Sequence, residues 1–174
     1  MIDMIRANNF QDYVDKRFRA FFNEVEKQQI RRLQKLGEKC VNHARNVAPK
    51  PDGFEDQTGN LRSSIGYMVF NNGVAVHAGF EQVKDGADGA KKGEELARKV
   101  GEKKDGICLV VTAGMDYAVY VEGGYTYKRK KKDGTEVEVH MRSRDVITSA
   151  EKMAERELPE ELAKLVANIK RAAE

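Results

Sequence analysis

A long amphipathic segment constrains the fold of this chain more than any other feature. From Phe10 to Val47, apolar residues recur every three or four positions, and polar residues fill the positions between them. This period is typical of an α-helix with one apolar stripe. About 38 residues at ~1.5 Å each give a helix of ~57 Å, whereas a compact globule of this size is roughly 40 Å across. The helix therefore either extends beyond its own domain, where its stripe needs a partner, or breaks near Gln28-Gln29.

A turn and then a β-hairpin are predicted after this helix. Pro49 and the residues that follow it favour a turn, because proline cannot continue the helical hydrogen bonding. Two largely apolar runs at 61–70 and 74–80 are separated by the sequence Asn-Asn-Gly at 71–73. Asn-Gly between two such runs is a strong signal for a tight hairpin.

The rest of the chain predicts one more strand, an ambiguous segment and a helix. Residues 107–113 are apolar nearly throughout, so we expect a central strand covered on both faces. Residues 117–122 fit either a fourth strand or one helical turn. The segment 145–173 has a helical apolar period, and Pro159 should kink that helix or begin a second one.

These patterns predict one α+β domain over 1–174. We expect a long N-terminal helix, a mainly antiparallel sheet of about four strands with a hairpin arm, and a C-terminal helix packed on the sheet. Residues 1–9 are expected to be disordered. Two polar insertions, 81–106 with a short helix at 94–100 and 126–144 with a second hairpin turn at Asp-Gly, are expected to be mobile excursions from the sheet.

Charge and composition exclude several classes of protein. The 31 Lys+Arg against 28 Asp+Glu give a net charge of +3, too small for nucleic-acid binding by the whole surface. No apolar run approaches the ~20 residues that cross a bilayer, and we expect no secretory signal at the start. Cys40 and Cys108 are too few for a disulfide framework or a zinc ribbon, so we expect two reduced, buried thiols in a cytoplasmic protein.

The sequence offers little catalytic chemistry. Cys40 and His43 stand at helical spacing, but two ligands do not make a metal site, and the first interpretation is a buried thiol beside a boundary histidine. No nucleophile elbow, zinc-protease helix or phosphate-binding loop appears. We therefore expect no catalytic, metal-binding or cofactor-binding residue, no cofactor, and no enzymatic activity.

A run of basic residues is the one strong electrostatic feature. Its functional interpretation is contact with DNA phosphates or with an acidic surface of a neighbouring protein. Its structural interpretation is a hairpin arm kept soluble by charge. Tyr125 and Tyr127 precede the run and could stack on bases, although no sequence-reading nucleic-acid motif is present. The candidate contact residues are Lys128, Arg129, Lys130, Lys131 and Lys132.

Two motifs carry a resemblance to a known family. The first is Ala-x-x-x-Ala-Pro at 44–49 with Thr-Gly-Asn-Leu-Arg-Ser-Ser-Ile at 58–65, and the second is Asp-Tyr-Ala-Val-Tyr-Val-Glu-Gly-Gly at 116–124. In this order, between a long helix and a final helix, they resemble the tail-completion (minor tail, head–tail joining) proteins of long-tailed phages and prophages. The motif positions are Pro49, Thr58, Gly59, Leu61, Arg62, Ile65, Tyr117, Ala118, Glu122 and Gly124.

The resemblance implies a non-enzymatic structural protein of the virion, made in the host cytoplasm and placed at the head–tail junction. It implies a homo-oligomeric ring, with a hexamer favoured, that contacts the neck and tail-tube proteins and no membrane. DNA passing through the channel could touch the basic arm. The alternative function is a small nucleic-acid-binding accessory protein that uses residues 128–144.

Glu122 has two possible roles at this point. If 117–122 is extended, this carboxylate lies at a sheet edge beside the basic arm. There it could make head-to-tail contacts between ring subunits, or it could simply protect the edge from unwanted strand pairing.

Overall fold

The computed structural model describes residues 2–46 and 58–173, with side chains at 9–46 and 58–171. Pro49 and the turn predicted around it lie outside the described residues. The helices and strands, in chain order, are α1 (Ile2–Arg45), α2 (Asn60–Ser64), β1 (Ile65–Asn71), β2 (Val74–Gly79), α3 (Ala87–Gly101), β3 (Ile107–Ala113), α4 (Ala118–Gly123), β4 (Tyr125–Lys130), β5 (Glu136–Met141) and α5 (Ile147–Ala173). The predicted α+β class is confirmed.

Strand β1 is the centre of the main sheet. The sheet has three strands in the order β2-β1-β3, with both pairings antiparallel. Six of the seven β1 residues are buried, because the strand is covered on both faces. The predicted Asn-Gly hairpin is confirmed: Asn72 and Gly73 have φ values of 49° and 77°, the left-handed conformations that a two-residue hairpin turn needs.

Strand β3 is covered on both faces, but the prediction that it is central was wrong. Among the described strands it pairs with β1 alone, and it forms one edge of the sheet. Its odd-numbered residues from Ile107 to Ala113 pack in the cluster that includes α1, whereas Cys108 and Val110 pack in the cluster that includes α3. An apolar run shows that both faces of a strand are covered, and it does not show whether both of its edges are paired.

Two hydrophobic clusters lie on opposite faces of the sheet. On one face, Leu36 and Cys40 of α1 pack with Ile65 and Val69 of β1, and α5 adds Ala150. On the other face, Met68 and Phe70 of β1 pack with Ala97 of α3 in a smaller cluster. The sheet is therefore enclosed between α1 with α5 on one side and α3 on the other.

Helix α3 lies close to the sheet because its inner face is made of small residues. Gly89, Gly93, Ala97 and Gly101 are all buried, four positions apart along the helix. A Cβ added at Gly93 would stand 2.3 Å from the carbonyl oxygen of Ser64, and one at Gly101 would stand 2.0 Å from the Phe70 ring. The segment 81–106 was predicted to be a mobile insertion with a short helix at 94–100. In the structure it contributes a helix of 15 residues that packs in the core. Glycine has low helix propensity, which hid this helix in the sequence.

Helix α1 is a single helix of 44 residues that extends beyond the body of the protein. At 1.5 Å a residue it is about 66 Å long. The break considered near Gln28-Gln29 does not occur, and the helix begins at Ile2, inside the segment 1–9 that we expected to be disordered. Phe10 and Phe22, at 70% and 62% exposed, show that no part of the described chain covers the N-terminal half of the stripe.

Helix α5 lies along α1. It forms one helix of 27 residues with Pro159 inside it, so the second helix considered at this proline does not form. Two ion pairs tie the helices together, Arg32 Nη1 to Glu161 Oε2 at 2.8 Å and Lys39 Nζ to Glu157 Oε2 at 2.6 Å. The segment 117–122, predicted as a strand or a helical turn, is helical: Tyr117 is the N-cap of α4 and the other residues lie within that helix.

The close approach of α3 can be tested by substitution. We expect Gly93→Ala to lower the free energy of unfolding by about 1–3 kcal/mol, because the added methyl group meets the Ser64 backbone. Gly123→Ala is the matched control, since a Cβ built there has no atom within 4 Å apart from its chain neighbours and the backbone of its own helix. Urea unfolding of both variants measures the difference, and equal stabilities would contradict the packing of α3 described above.

Candidate functional site

The first motif forms the junction between α1, the sheet and α3. Thr58 Oγ1 accepts a hydrogen bond of 3.3 Å from the Asn60 backbone N–H. Gly59 has a φ of 81°, and a Cβ there would lie 2.0 Å from the carbonyl oxygen of Val83, so glycine is required. Leu61 and Ile65 are 5% and 0% exposed. These motif residues therefore have a structural role in this chain.

Polar side chains of α2 hold the segment that leads into α3. Ser63 Oγ donates to the Val83 carbonyl at 3.2 Å and accepts from the Val83 N–H at 2.8 Å. Asn60 Oδ1 accepts from the backbone N–H of Gly89 at 3.2 Å. Since these bonds connect positions 20 or more residues apart, the motif fixes where α3 starts on the sheet.

Arg45 is a structural residue that the sequence did not reveal. Arg45 is 9% exposed, and its guanidinium donates from Nε and Nη2 to the Ile65 carbonyl, at 3.0 and 2.8 Å. Nη1 also donates to the Glu81 carboxylate at 3.2 Å. Burial lowers the pKa of Arg45, and the Glu81 charge opposes that shift. A basic residue in the last turn of a helix is usually solvated, so only the tertiary structure identifies this one.

Glu122 caps the N-terminus of α5. One carboxylate oxygen accepts from the N–H groups of Val146 and Ile147 at 2.9 and 3.0 Å, and the other accepts from the Thr148 N–H at 2.8 Å. Burial alone would raise the pKa of Glu122, but the hydrogen bonds from Thr148 and the backbone outweigh it, so the pKa lies below its usual range. The carboxylate lies on α4 and not at the predicted sheet edge.

This cap joins the second motif to the last helix. The first four N–H groups of a helix have no partner within that helix, and a carboxylate placed there also interacts favourably with the helix dipole. The Arg144 N–H donates to the Val121 carbonyl at 2.8 Å and adds a second link between α4 and the segment before α5. Two further motif residues begin the same short helix: Tyr117 is the N-cap of α4 and Ala118 is its first residue.

The hairpin that follows has two different faces, and we call residues 125–141 the arm. Its two strands are antiparallel, and the predicted Asp-Gly turn is confirmed, with Gly134 at a φ of 83°. On one face Lys128 and Lys130 stand opposite Glu138 and Glu136. Every residue of β4 is exposed, so the predicted contact residues Lys128, Arg129, Lys130, Lys131 and Lys132 lie together on a projecting element.

The other face of the arm is largely apolar. Tyr125 and Tyr127 stand opposite Met141 and Val139, with ring centroids of the two tyrosines 5.8 Å apart. Tyr120 of α4 contacts Tyr125 edge-on at 6.0 Å and extends this face. Tyr120, Tyr125 and Tyr127 remain 59%, 44% and 39% exposed. An aromatic surface of this kind, uncovered within the described chain, is typical of a protein interface.

Cys40 and His43, the pair at helical spacing, lie in different surroundings in the structure. Cys40 is buried, and its thiol donates to the Ala150 carbonyl at 3.8 Å, whereas His43 is exposed on another side of α1. No group of three or more potential metal ligands occurs among the described residues. Cys108 is half-buried, less than the full burial predicted for it. None of the described helices is long and apolar enough to span a membrane.

The cap can be tested through stability and its pH dependence. We expect Glu122→Gln to cost about 1–2 kcal/mol of unfolding free energy near neutral pH, because the charge at the helix start is lost. Since the pKa of Glu122 is lowered on folding, its contribution is present above its unfolded pKa and disappears as the pH falls through its folded pKa. The variant should therefore lose less stability than the wild type on acidification.

Glu155→Gln on the exposed face of α5 is the control and should leave both the stability and its pH dependence nearly unchanged. Thermal unfolding from neutral to acidic pH measures all three proteins. A Glu122→Gln variant as stable as the control would contradict the capping role.

Comparison with known proteins gives one family. Residues 9–124 match the family model HK97-gp10-like, described as "Bacteriophage HK97-gp10, putative tail-component". The match includes α1 from residue 9 onward, the three-stranded sheet, α3 and the carboxylate residue Glu122, whereas the helix start that Glu122 caps lies beyond it. Neither the curated proteins nor the solved structures give a significant match. Because the matched segment covers more than half of the chain, this protein belongs to the HK97-gp10-like family of bacteriophage tail components.

Proposed function

We propose that this protein acts without catalysis as a ring-forming subunit at the head–tail junction of a phage, with six copies in the ring. The observation that carries the proposal is the contrast between a closed core and two projecting apolar surfaces. The core is covered by α1, α3 and α5, whereas the N-terminal half of α1 and the apolar face of the arm have no cover in the described chain.

The projecting part of α1 is rich in aromatic residues. Phe10, Tyr13, Phe18 and Phe22 are between 56% and 70% exposed. Burial of a large aromatic side chain contributes about 1.5–3 kcal/mol, so this stripe has a strong driving force to find a partner. In the proposed function this helix contacts the neck or tail-tube protein, and the arm contacts another subunit.

The basic tip of the arm gives a secondary role in the channel. Of the five bases at 128–132, Lys130 lies near Glu136, with 3.8 Å between the charged atoms, and all are exposed. Nonspecific contact with DNA phosphates supports passage of the genome through the ring. The alternative, a separate nucleic-acid-binding accessory protein, receives no support from the family, which is a family of tail components.

Copy number in the particle tests the proposed function. We expect quantitative mass spectrometry of purified phage particles to give about six copies per particle, normalised to the major capsid protein, because a closed cyclic ring fixes a small number. Labelling by an antibody against the protein should place it at the neck end of the tail in electron micrographs. Absence from complete, tailed particles would contradict the proposal.

The DNA contact has its own test. The affinity of a DNA-binding protein falls with salt concentration. We expect replacement of the five bases at 128–132 by Gln to make this fall less steep, by about 0.9 in the slope of log affinity against log salt concentration for each DNA phosphate that the arm no longer neutralises. The control for net charge replaces five exposed lysines outside the arm, Lys91, Lys99, Lys103, Lys104 and Lys170, by Gln. An unchanged slope in the arm variant would show that the arm does not contact DNA.

A further inference from the structure

The outer edge of β3 is open for strand pairing within the described chain. The Gly114 N–H donates to the Ser64 carbonyl at 3.2 Å, and the Asn72 N–H donates to the Gly106 carbonyl at 2.8 Å. The pairs Gly114–Ser64 and Gly106–Asn72 continue the register of the β1–β3 ladder at its two ends. In an antiparallel ladder every second residue is hydrogen-bonded to the partner strand, so the even-numbered residues of β3 bond to β1. The backbone groups of Ile107, Leu109, Val111 and Ala113 therefore point away from the sheet.

The two edges of the sheet differ in a way that matters for pairing. The β1–β2 ladder has an irregularity at Val69/Phe70, which is one of the devices that protect an edge. The β1–β3 ladder runs through all seven residues without a shift. A straight, apolar, unpaired strand is a surface that normally pairs with another chain.

Apolar grooves lie at both ends of this edge. One, of about 470 Å³, is lined by residues of β3 from Val111 to Ala113 and by residues of α4 and α5. The other, of about 510 Å³, is lined by residues of β3 from Ile107 to Leu109, with Leu158 and Leu162 of α5 on its wall. A strand laid along β3 could thus bury alternate side chains in the two grooves.

The arm has the properties of the missing strand. Its strands have six residues each, close to the seven of β3, and among the described strands each pairs only with the other. An isolated two-stranded ribbon is marginally stable in water, so a third strand would stabilise it. The face with Tyr125 and Tyr127 offers side chains for the apolar grooves.

Charge also favours this pairing. Residues 128–132 carry five bases, and the segment of α5 at 151–161 borders the groove with Leu158. Of the five acids in that segment, Glu157 and Glu161 already pair with α1, and the other three, Glu151, Glu155 and Glu160, are exposed. Opposite charges of this kind speed encounter and fix the orientation of two partners.

From these observations we infer that the open edge of β3 receives the arm of a second copy of this chain. The contact is head-to-tail, because the arm and the edge are different surfaces, and such contacts close into rings. The inference rests on the proposed function in that it names the surface through which the ring subunits join.

Two variants with complementary defects test the inference. Tyr127→Glu with Val139→Glu places charges on the apolar face of the arm, and Val111→Pro removes one outward N–H from β3 while leaving the bonds to β1 in place. Each should weaken self-association by about 100-fold or more. Mixed together they should form a 1:1 dimer, because one intact arm can meet one intact edge, and no larger ring.

Controls separate this effect from misfolding. Thr126→Glu with His140→Glu adds the same charge to the opposite face of the arm and should keep most of the association. Leu162→Lys, at a residue 46% exposed on the wall of the groove, is a second edge variant that does not alter a strand. Native mass spectrometry and light scattering measure the oligomers.

Three results would overturn the inference. The first is that both defective variants assemble as the wild type does, in which case the ring of the proposed function would have to use another surface. The second is that the wild type stays monomeric up to about 1 mM, where even weak specific contacts are populated. The third is that the mixed variants form no dimer although both are folded. Mass spectrometry of phage particles tests the proposed function independently of these results.

Discussion

The fold depends on a single strand, β1, that is buried on both faces. Its residues Ile65 and Val69 pack against α1 and α5, and Met68 and Phe70 pack against α3. A three-stranded sheet covered on both faces needs helices that approach closely, and the glycines of α3 allow this on one side. On the other side Arg45 fastens the end of α1 to the carbonyl at the start of β1. The motif at 58–65 serves this arrangement by connecting α1, β1 and α3.

The chain combines this closed core with surfaces that the described chain leaves open. The α1 stripe, the apolar face of the arm and the edge of β3 each offer groups that gain stability only through a partner. A soluble monomer would carry these surfaces at the risk of aggregation. For a component of a phage tail they are the expected means of assembly, because each subunit must contact several neighbours in a fixed geometry.

Local signals in the sequence predicted the local structure. Asn72-Gly73 and the Asp-Gly turn at 133–134 specify their hairpins through residues that tolerate positive φ, and both are confirmed. The long helix is confirmed because its apolar period continues without proline. The family resemblance, which rested on the order of two motifs, is confirmed by the family match.

The errors concern contacts between distant residues. The edge position of β3, the full length of α3 and the Glu122 cap all depend on partners that lie far away in the chain. Glu122 looked like an exposed acid because nothing near it in sequence shows that the start of α5 lies beside it. Arg45 was missed for the same reason.

Hydrogen–deuterium exchange of the isolated protein and of the same protein in assembled tails tests the central claim, that the closed core is preformed and the open surfaces are completed by neighbours. We predict that β1 exchanges slowly in both states, whereas the outward-facing amides of β3, the arm and the N-terminal half of α1 exchange more slowly in tails than in the isolated protein. Equal protection of these three segments in the two states would contradict the account.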